Sequence, residues 1–428
     1  MRTIEEIVEG MREHAKDGPV LIKELSEQGV PIVGTYCTFV PWEIIHAAGA
    51  VSASLCSRSQ KPIAAAEERL PRNLCPLIKA SYGHAMTDTC PYFHFCGLVV
   101  AESTCDGKKK MFELLNDIRP VYTIQLPQRG DRPEDLQIMK NEFALFKEEM
   151  ERFTGHKITD DDLRAAIRLR NRERTALRGL WSLAELENPP LTGHEIWEFG
   201  EYMSFHFDKE AAIAWLDRQV ADLRAAVEAG ENRGLGKKPR VMVTGCPISG
   251  ATKVIDAVEA AGGLVACYEN CGGEKELRYL VDENKEPLEA LAEKYLGIGC
   301  SVMSPNEARL NAIRYLSDLY RVDGVLAEQL RPGVDPAQYP GAVDSGETAG
   351  KPEALHLLWP RQQLSGSGDR LRRERQGAAG HAHRGVHRDA VKTGTTNGGG
   401  KSENSSRRRL SFLPLSYYNQ PRQEGLFP

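Results

Sequence analysis

Short apolar runs alternate with helix-length segments at both ends of this chain, and about a hundred residues of purely helical pattern separate the two. Residues 31–37, 51–56, 97–102 and 120–127 read as strands, and 41–50 reads as a helix opened by Pro41 and closed by Gly49. The pattern returns at Lys238. A strand there runs into the glycine loop Gly245-Cys246-Pro247, residues 252–261 form a helix, a strand starting at Gly263 ends near Cys271, and a further strand starts at Val322. Strand alternating with helix is the signature of a parallel sheet covered on both faces. The expected fold class is α/β, with two Rossmann-like parallel-sheet lobes and a helical layer between them. We divide the chain into an N-terminal helix and first lobe (1–133), a helical region (134–236), a second and incomplete lobe (237–330) and a low-complexity tail (331–428). The Glu, Lys and Arg runs of the helical region read as solvated helix faces.

A chain of 428 residues, 41% of them hydrophobic, can bury a sizeable core. Its net charge of -5 gives no electrostatic ground for nucleic acid or an anionic membrane as partner, which leaves small molecules and proteins. The opening Met1-Arg2-Thr3-Ile4-Glu5-Glu6 starts an acidic amphipathic helix and not a signal peptide. No apolar run reaches the roughly 18 residues that a membrane helix needs. A cytoplasmic protein is expected, and in that compartment ten cysteines serve as buried thiols or metal ligands and not as disulfides.

The cysteines contain no Cys-x-x-Cys pair, which argues against zinc fingers, thioredoxin-like centres and ferredoxin runs. Position separates them instead. Cys37, Cys75, Cys105, Cys271 and Cys300 fall at expected strand ends or helix starts, where backbone N–H groups and the positive helix end favour a thiolate. The stretch from Leu70 to Lys110 holds two such corners: Cys75 precedes Pro76, and Cys105 stands between an apolar run and Asp106-Gly107, read as a helix N-cap. Cys56 and Cys267 read as core residues within strands, Cys90 and Cys96 as packing around Pro91-Tyr92-Phe93-His94-Phe95, and Cys246 stays undecided. For any cysteine alone, a small buried apolar residue is the simpler reading. Gly245 to Thr252 nearly spells a phosphate loop, but Ala251 stands where the lysine belongs, so nucleotide hydrolysis is excluded there. Lys108, Lys109 and Lys110 read as a solvated first turn, and His46, His84 and His94 as structural. No catalytic residue is assigned.

Five separated phrases then agree in order: Tyr36-Cys37-Thr38-Phe39-Val40-Pro41-Trp42-Glu43, Arg72-Asn73-Leu74-Cys75-Pro76, Thr104-Cys105-Asp106-Gly107-Lys108-Lys109, Glu269-Asn270-Cys271-Gly272-Gly273 and Cys300-Ser301-Val302-Met303-Ser304-Pro305-Asn306. They resemble the D-component-like subunits of the 2-hydroxyacyl-CoA dehydratase superfamily, and most of all its double-cubane cluster branch, up to about Leu326. The resemblance implies two Rossmann-like lobes plus helices, assembled as a homodimer or heterodimer. It implies an oxygen-sensitive iron–sulfur cofactor, either a [4Fe-4S] cubane on residues matching Cys75 and Cys105 or a bridged [8Fe-9S] pair with Cys37, Cys271 and Cys300 as added ligands. It further implies an ATP-dependent iron–sulfur activator as electron donor and a small molecule as substrate, hence an iron–sulfur reductase. A 2-hydroxyacyl-CoA dehydratase or benzoyl-CoA reductase subunit acting on an acyl-CoA is the alternative, and a non-catalytic electron-storage protein or inactive product the second alternative. The family's last cysteine follows the strand that begins here at Val322, and this chain has none there. We therefore read residues 331–428 as a disordered or aberrant tail, out of frame with the family's C-terminal end.

Overall fold

The computed structural model describes residues 2–14, 18–57, 59–245, 252–328 and 357–360. Helices α1 (Ile4–His14) and α2 (Gly18–Glu27) lead into a first sheet of four parallel strands, β1 (Ile32–Thr35), β2 (Val51–Ser54), β3 (Leu98–Glu102) and β4 (Val121–Ile124), ordered β2-β1-β3-β4. Helix α3 (Trp42–Ala47) joins β1 to β2, α4 (Ile63–Ala66), α5 (Pro76–Thr87) and α6 (Pro91–Phe95) lie between β2 and β3, and α7 (Asp106–Leu115) joins β3 to β4. Helices cover both faces, so β3 is buried along its whole length and reads Leu-Val-Val-Ala-Glu instead of alternating. The chain steps from β1 outward to β2 and returns on the other side of β1 with β3. That reversal opens a crevice beyond the C-terminal ends of β1 and β3, the usual ligand position of an open parallel sheet.

Four helices follow: α8 (Pro133–Thr154), α9 (Asp160–Trp181), α10 (Gly193–Phe205) and α11 (Lys209–Glu228). Their ends are written locally. Thr159 with Asp162 and Thr192 with Glu195 form reciprocal capping boxes, and α8 stops at Gly155, whose φ of 72° suits glycine. The second sheet holds β5 (Arg240–Gly245), β6 (Leu264–Glu269) and β7 (Gly324–Glu328) in parallel, with β8 (Leu357–Pro360) antiparallel to β7, in order β6-β5-β7-β8. Its helices are α12 (Thr252–Ala260), α13 (Glu274–Leu277), α14 (Pro287–Leu296) and α15 (Glu307–Leu319).

Three apolar cores result. One lies on one face of the first sheet with α5 to α7; a second fills the other face with α3, α8 and α14; a third gathers α1, α10, α11 and the second sheet. Helix α9 belongs to two of them. Leu163, Ala166 and Ile167 enter the second core, while Ala176, Leu177, Leu180 and Trp181 enter the third. The α/β class with two parallel sheets and an intervening set of helices is as expected from the sequence.

Two expectations need correction. The strand expected over 51–56 ends at Ser54, so Cys56 lies past it and not within it. The charged runs of the helical region are not all solvated: Glu173, Arg174 and Lys209 are buried. Helix α14 packs against α8, so the helical region and the second lobe share a core. Of the expected tail, Leu357–Pro360 form β8, while its remaining residues and the near phosphate loop 246–251 lie outside the described residues. No helix among the described residues is long and apolar enough to cross a membrane.

Candidate metal centre

The crevice of the first sheet is where its cysteines gather. Cys37 follows β1 by two residues and holds a φ of 71°, a left-handed backbone that costs a residue other than glycine about 1–3 kcal/mol. Beyond β3, the buried carboxylate of Glu102 accepts the Thr104 N–H at 3.0 Å, the Thr104 hydroxyl at 2.7 Å and the ammonium of Lys108. This corner sets Cys105 in extended backbone as the N-cap residue of α7, and Asp106, expected as the cap, is instead the first helical residue. Cys75 is likewise the N-cap residue of α5, with Pro76 at the first helical position. The Cys75 thiol makes no capping hydrogen bond, and the Cys105 thiol faces the Gly107 and Lys108 N–H groups of the first turn of α7. Gly107 lets the two corners approach: a Cβ there would stand 2.8 Å from Leu74 Cδ1.

The second lobe repeats the device. β6 ends at Glu269, whose buried Oε2 accepts the Thr244 hydroxyl and Arg309 Nε at 3.1 Å, while its Oε1 forms an ion pair with the Lys275 ammonium at 3.4 Å. Cys271 follows two residues later, ahead of α13. Cys300 sits in a tight turn after α14, its N–H bound to Ile298 O at 2.9 Å and its carbonyl accepting the Met303 N–H at 3.1 Å. The same turn is tied to the first lobe by the Ser304 N–H on Gln128 O at 2.9 Å, and Cys300 shares the second core with Cys37.

The structure thus brings the five cysteines into two groups. Cys37 hydrogen-bonds the sulfur of Cys271; this contact, with burial, pushes Cys37 well up, and it lowers Cys271 against the opposing effect of burial, with Lys275 lowering Cys271 further. Cys300 lies close enough to oppose the charge of Cys271. Burial opposes the charge of Lys275, but Cys271, Glu269 and Cys300 outweigh it and raise its pKa. Cys75 and Cys105 form the second group: burial raises Cys105, the Lys108 N–H opposes that rise, and Cys75 adds to it. The Lys108 ammonium faces Cys37, so the lysine read as a solvated first turn is half-buried against Glu102, whereas Lys109 and Lys110 are exposed with surface partners.

The other cysteines divide differently. Cys96 donates to Phe93 O at 3.2 Å, and burial pushes it up to about 12, as suits an inert core thiol. Cys267 is buried in β6. Cys56, half-buried beyond β2, stands near enough to oppose the charge of Cys271. Sequence reasoning passed over Glu102, Glu269 and Lys275. The signal was present: a glutamate closing an apolar run with a lysine six residues later occurs at both corners.

Among the described residues, no three of Cys, His, Asp and Glu gather as ligands of a single metal ion. An iron–sulfur cluster makes a different demand, because each thiolate binds its own iron and the sulfurs stand apart around the cluster. The donors present fit that demand. They are thiols at helix starts and strand ends, Lys108 and Lys275 balance thiolate charge, and Asn270 Nδ2, buried beside Cys271 without a hydrogen-bond partner, is a donor suited to a sulfide.

Comparison with known proteins agrees in extent with these motifs. The family model described as 2-hydroxyglutaryl-CoA dehydratase, D-component, matches residues 37–331. The chain is 47% identical over 321 residues to the "Putative dehydratase subunit YjiM" of Escherichia coli K12, covering 75% of this chain and 83% of that protein. It is 22% identical over 341 residues to the (R)-phenyllactyl-CoA dehydratase beta subunit of Clostridium sporogenes, covering 78% and 88%. It is 24% identical over 194 residues to the beta subunit of (R)-2-hydroxyglutaryl-CoA dehydratase of Acidaminococcus fermentans, covering 44% and 50%. With more than half of its length matched by that model, the chain belongs to the 2-hydroxyglutaryl-CoA dehydratase D-component family, within the 2-hydroxyacyl-CoA dehydratase superfamily.

Proposed function

We propose that this protein is an iron–sulfur reductase of the double-cubane type, fed with low-potential electrons by an ATP-dependent iron–sulfur activator and reducing a small molecule. Cys75 and Cys105 hold one cubane, and Cys37, Cys271 and Cys300 hold the other. The observation that carries the reading is the division of five thiols into two groups, with the Lys108 N–H on Cys105 of one and the Lys108 ammonium facing Cys37 of the other. When bound, such a cluster supplies one-electron reduction at low potential. The chain's own residues bind it, balance its thiolate charge through Lys108 and Lys275, and donate to its sulfur from Asn270. The assembly is a dimer, and the protein works in the anaerobic cytoplasm.

A second reading is supported by the names of the relatives, which are dehydratase subunits acting on acyl-CoA thioesters. In it the chain is one subunit of a two-subunit dehydratase with a single [4Fe-4S] cluster. Iron and acid-labile sulfide per chain after strictly anaerobic purification separate the two. About eight of each supports the double cubane, about four supports the dehydratase subunit, and less than about one refutes both.

A further inference from the structure

Helix α9 crosses from one core to the other, and at the crossing lies Arg174, fully buried. Its Nη1 donates to Glu43 Oε1 at 2.8 Å, and its Nη2 and Nε donate to Glu276 Oε1 at 2.9 and 3.2 Å. The Tyr295 hydroxyl closes the ring, donating to Glu43 Oε2 at 2.8 Å and accepting from Arg174 Nη2 at 3.3 Å. Arg170 reaches the same Glu276 oxygen at 3.1 Å, and Lys294 reaches Oε2 at 3.0 Å.

The two carboxylates held by Arg174 are placed with respect to the cysteines. Glu43 lies in α3, the helix that begins directly after the Cys37 turn. Glu276 lies in α13, the short helix that begins directly after the Cys271 turn. We propose that Arg174 is a positioning residue for the Cys37–Cys271 pair, fastening the element behind one thiol to the element behind the other. Neither turn is held by sheet hydrogen bonds at its cysteine, and Cys37 carries a left-handed backbone that only its surroundings can maintain. A buried ion cluster of this kind is not the cheapest way to fill a core, since apolar residues of equal volume are often as stable. What a guanidinium adds is a rigid planar fork that fixes two acceptors at once. It rests on the convergence of the thiols and not on which cluster they bind.

The experiment uses the full chain freed of iron, reduced, and treated with dibromobimane, a short reagent that bridges neighbouring thiols; peptide mass spectrometry then reports the Cys37–Cys271 and Cys75–Cys105 links separately. Arg174→Met and the isosteric Glu43→Gln are expected to lower the Cys37–Cys271 link about tenfold, the population change that one lost charge-assisted hydrogen bond produces, with the Cys75–Cys105 link unchanged. Arg174→Lys restores part of it, and Arg172→Met, on the exposed side of the same helix, changes neither link. If Arg174→Met does not fold, Glu43→Gln decides. An undiminished Cys37–Cys271 link in either folded variant overturns the proposal, and so does an equal loss of both links, which marks Arg174 as general structural support. Neither result depends on the iron count, so failure here leaves the reading of the clusters standing.

Discussion

Replacing Lys294 by methionine is expected to remove a rise in stability between pH 8 and 10.5 without weakening the fold at pH 7. The lysine side chain is 1% exposed, its Nζ 3.0 Å from Glu276 Oε2 and 4.0 Å from the centre of the Tyr295 ring. Around it the cluster holds the cations Arg170, Arg174 and Lys209 and the carboxylates Glu43, Glu173 and Glu276, so with Lys294 protonated the cations outnumber the anions by one. Burial and then Arg174 lower Lys294 from its ordinary 10.5 to about 8. Burial opposes the charge of Glu276 too, yet Lys294, Arg174 and Arg170 hold it well below the carboxylate range, as an excess of positive charge requires. Between pH 8 and 10.5 the unfolded chain keeps a proton on this lysine that the folded chain has released, so stability increases with pH across that window and is diminished in full below it. A shift of this size corresponds to about 3 kcal/mol. Methionine has no proton to lose and Glu276 retains two arginines, so the penalty for an orphaned buried charge does not arise. The assay is the urea midpoint of parent and variant at pH 7, 8, 9 and 10, the difference between them cancelling thiol and tyrosine titrations common to both. A difference that stays flat with pH refutes the argument, as does a variant several kcal/mol weaker at pH 7.

Glu151 predicts the opposite limb. Lys157, Lys147 and the Ile158 N–H lower it to about 2, so its contribution is complete above 4.5 and is lost as pH falls toward 2; Lys147→Met with Lys157→Met should shift the acid unfolding midpoint upward, followed by circular dichroism. Gly83→Ala should cost about 1–3 kcal/mol or more in chemical denaturation, because its Cβ would meet the backbone carbonyl of Pro62, which cannot swing aside. Gly107→Ala, whose Cβ meets only the ends of Leu74 and Ile78, should cost less than Gly83→Ala. Cys75→Ser and Cys105→Ser should lower iron per chain after anaerobic purification while Cys96→Ser, a core thiol, should not; equal iron in all three would remove the first pair from the site.

The sheets and most helices were legible because their signals are local. The strand Leu-Val-Val-Ala-Glu has no polar alternation to mistake, Pro41 and Pro76 open helices, and Gly155 closes one. The positions of Cys37, Cys75, Cys105 and Cys271 at corners followed from those boundaries. What the sequence hid is burial decided at long range. Arg170, Glu173 and Arg174 occupy a helix of 22 residues dense with charge, and a one-dimensional pattern has no means of showing that one side of it meets Glu43, Glu276 and Lys294 from three other elements. Cys56 was misplaced for a lesser reason, since the apolar run continues to Leu55 although the strand stops at Ser54.

The two lobes carry the same corner. In the first, Glu102 closes β3, Cys105 follows, and Lys108 turns back to Glu102; in the second, Glu269 closes β6, Cys271 follows, and Lys275 turns back to Glu269. Each carboxylate is buried and each lysine lies one helical turn beyond its cysteine, so each corner fixes a cation with a carboxylate of its own strand, the Lys275 ammonium facing Cys271 and the Lys108 ammonium facing Cys37. A thiolate that must carry charge in a buried place needs that cation, and a buried cation needs the carboxylate. The meeting of the lobes is a separate requirement, met by other residues: the Ser304 N–H on Gln128 O, α14 against α8, and Arg174 between Glu43 and Glu276. The local corner sets the chemistry of each thiol, and the long-range charge cluster sets the separation between them, so substitutions in the two sets should have separable effects: Lys275→Met on the reactivity of Cys271 alone, Glu43→Gln on the linking of Cys271 to Cys37.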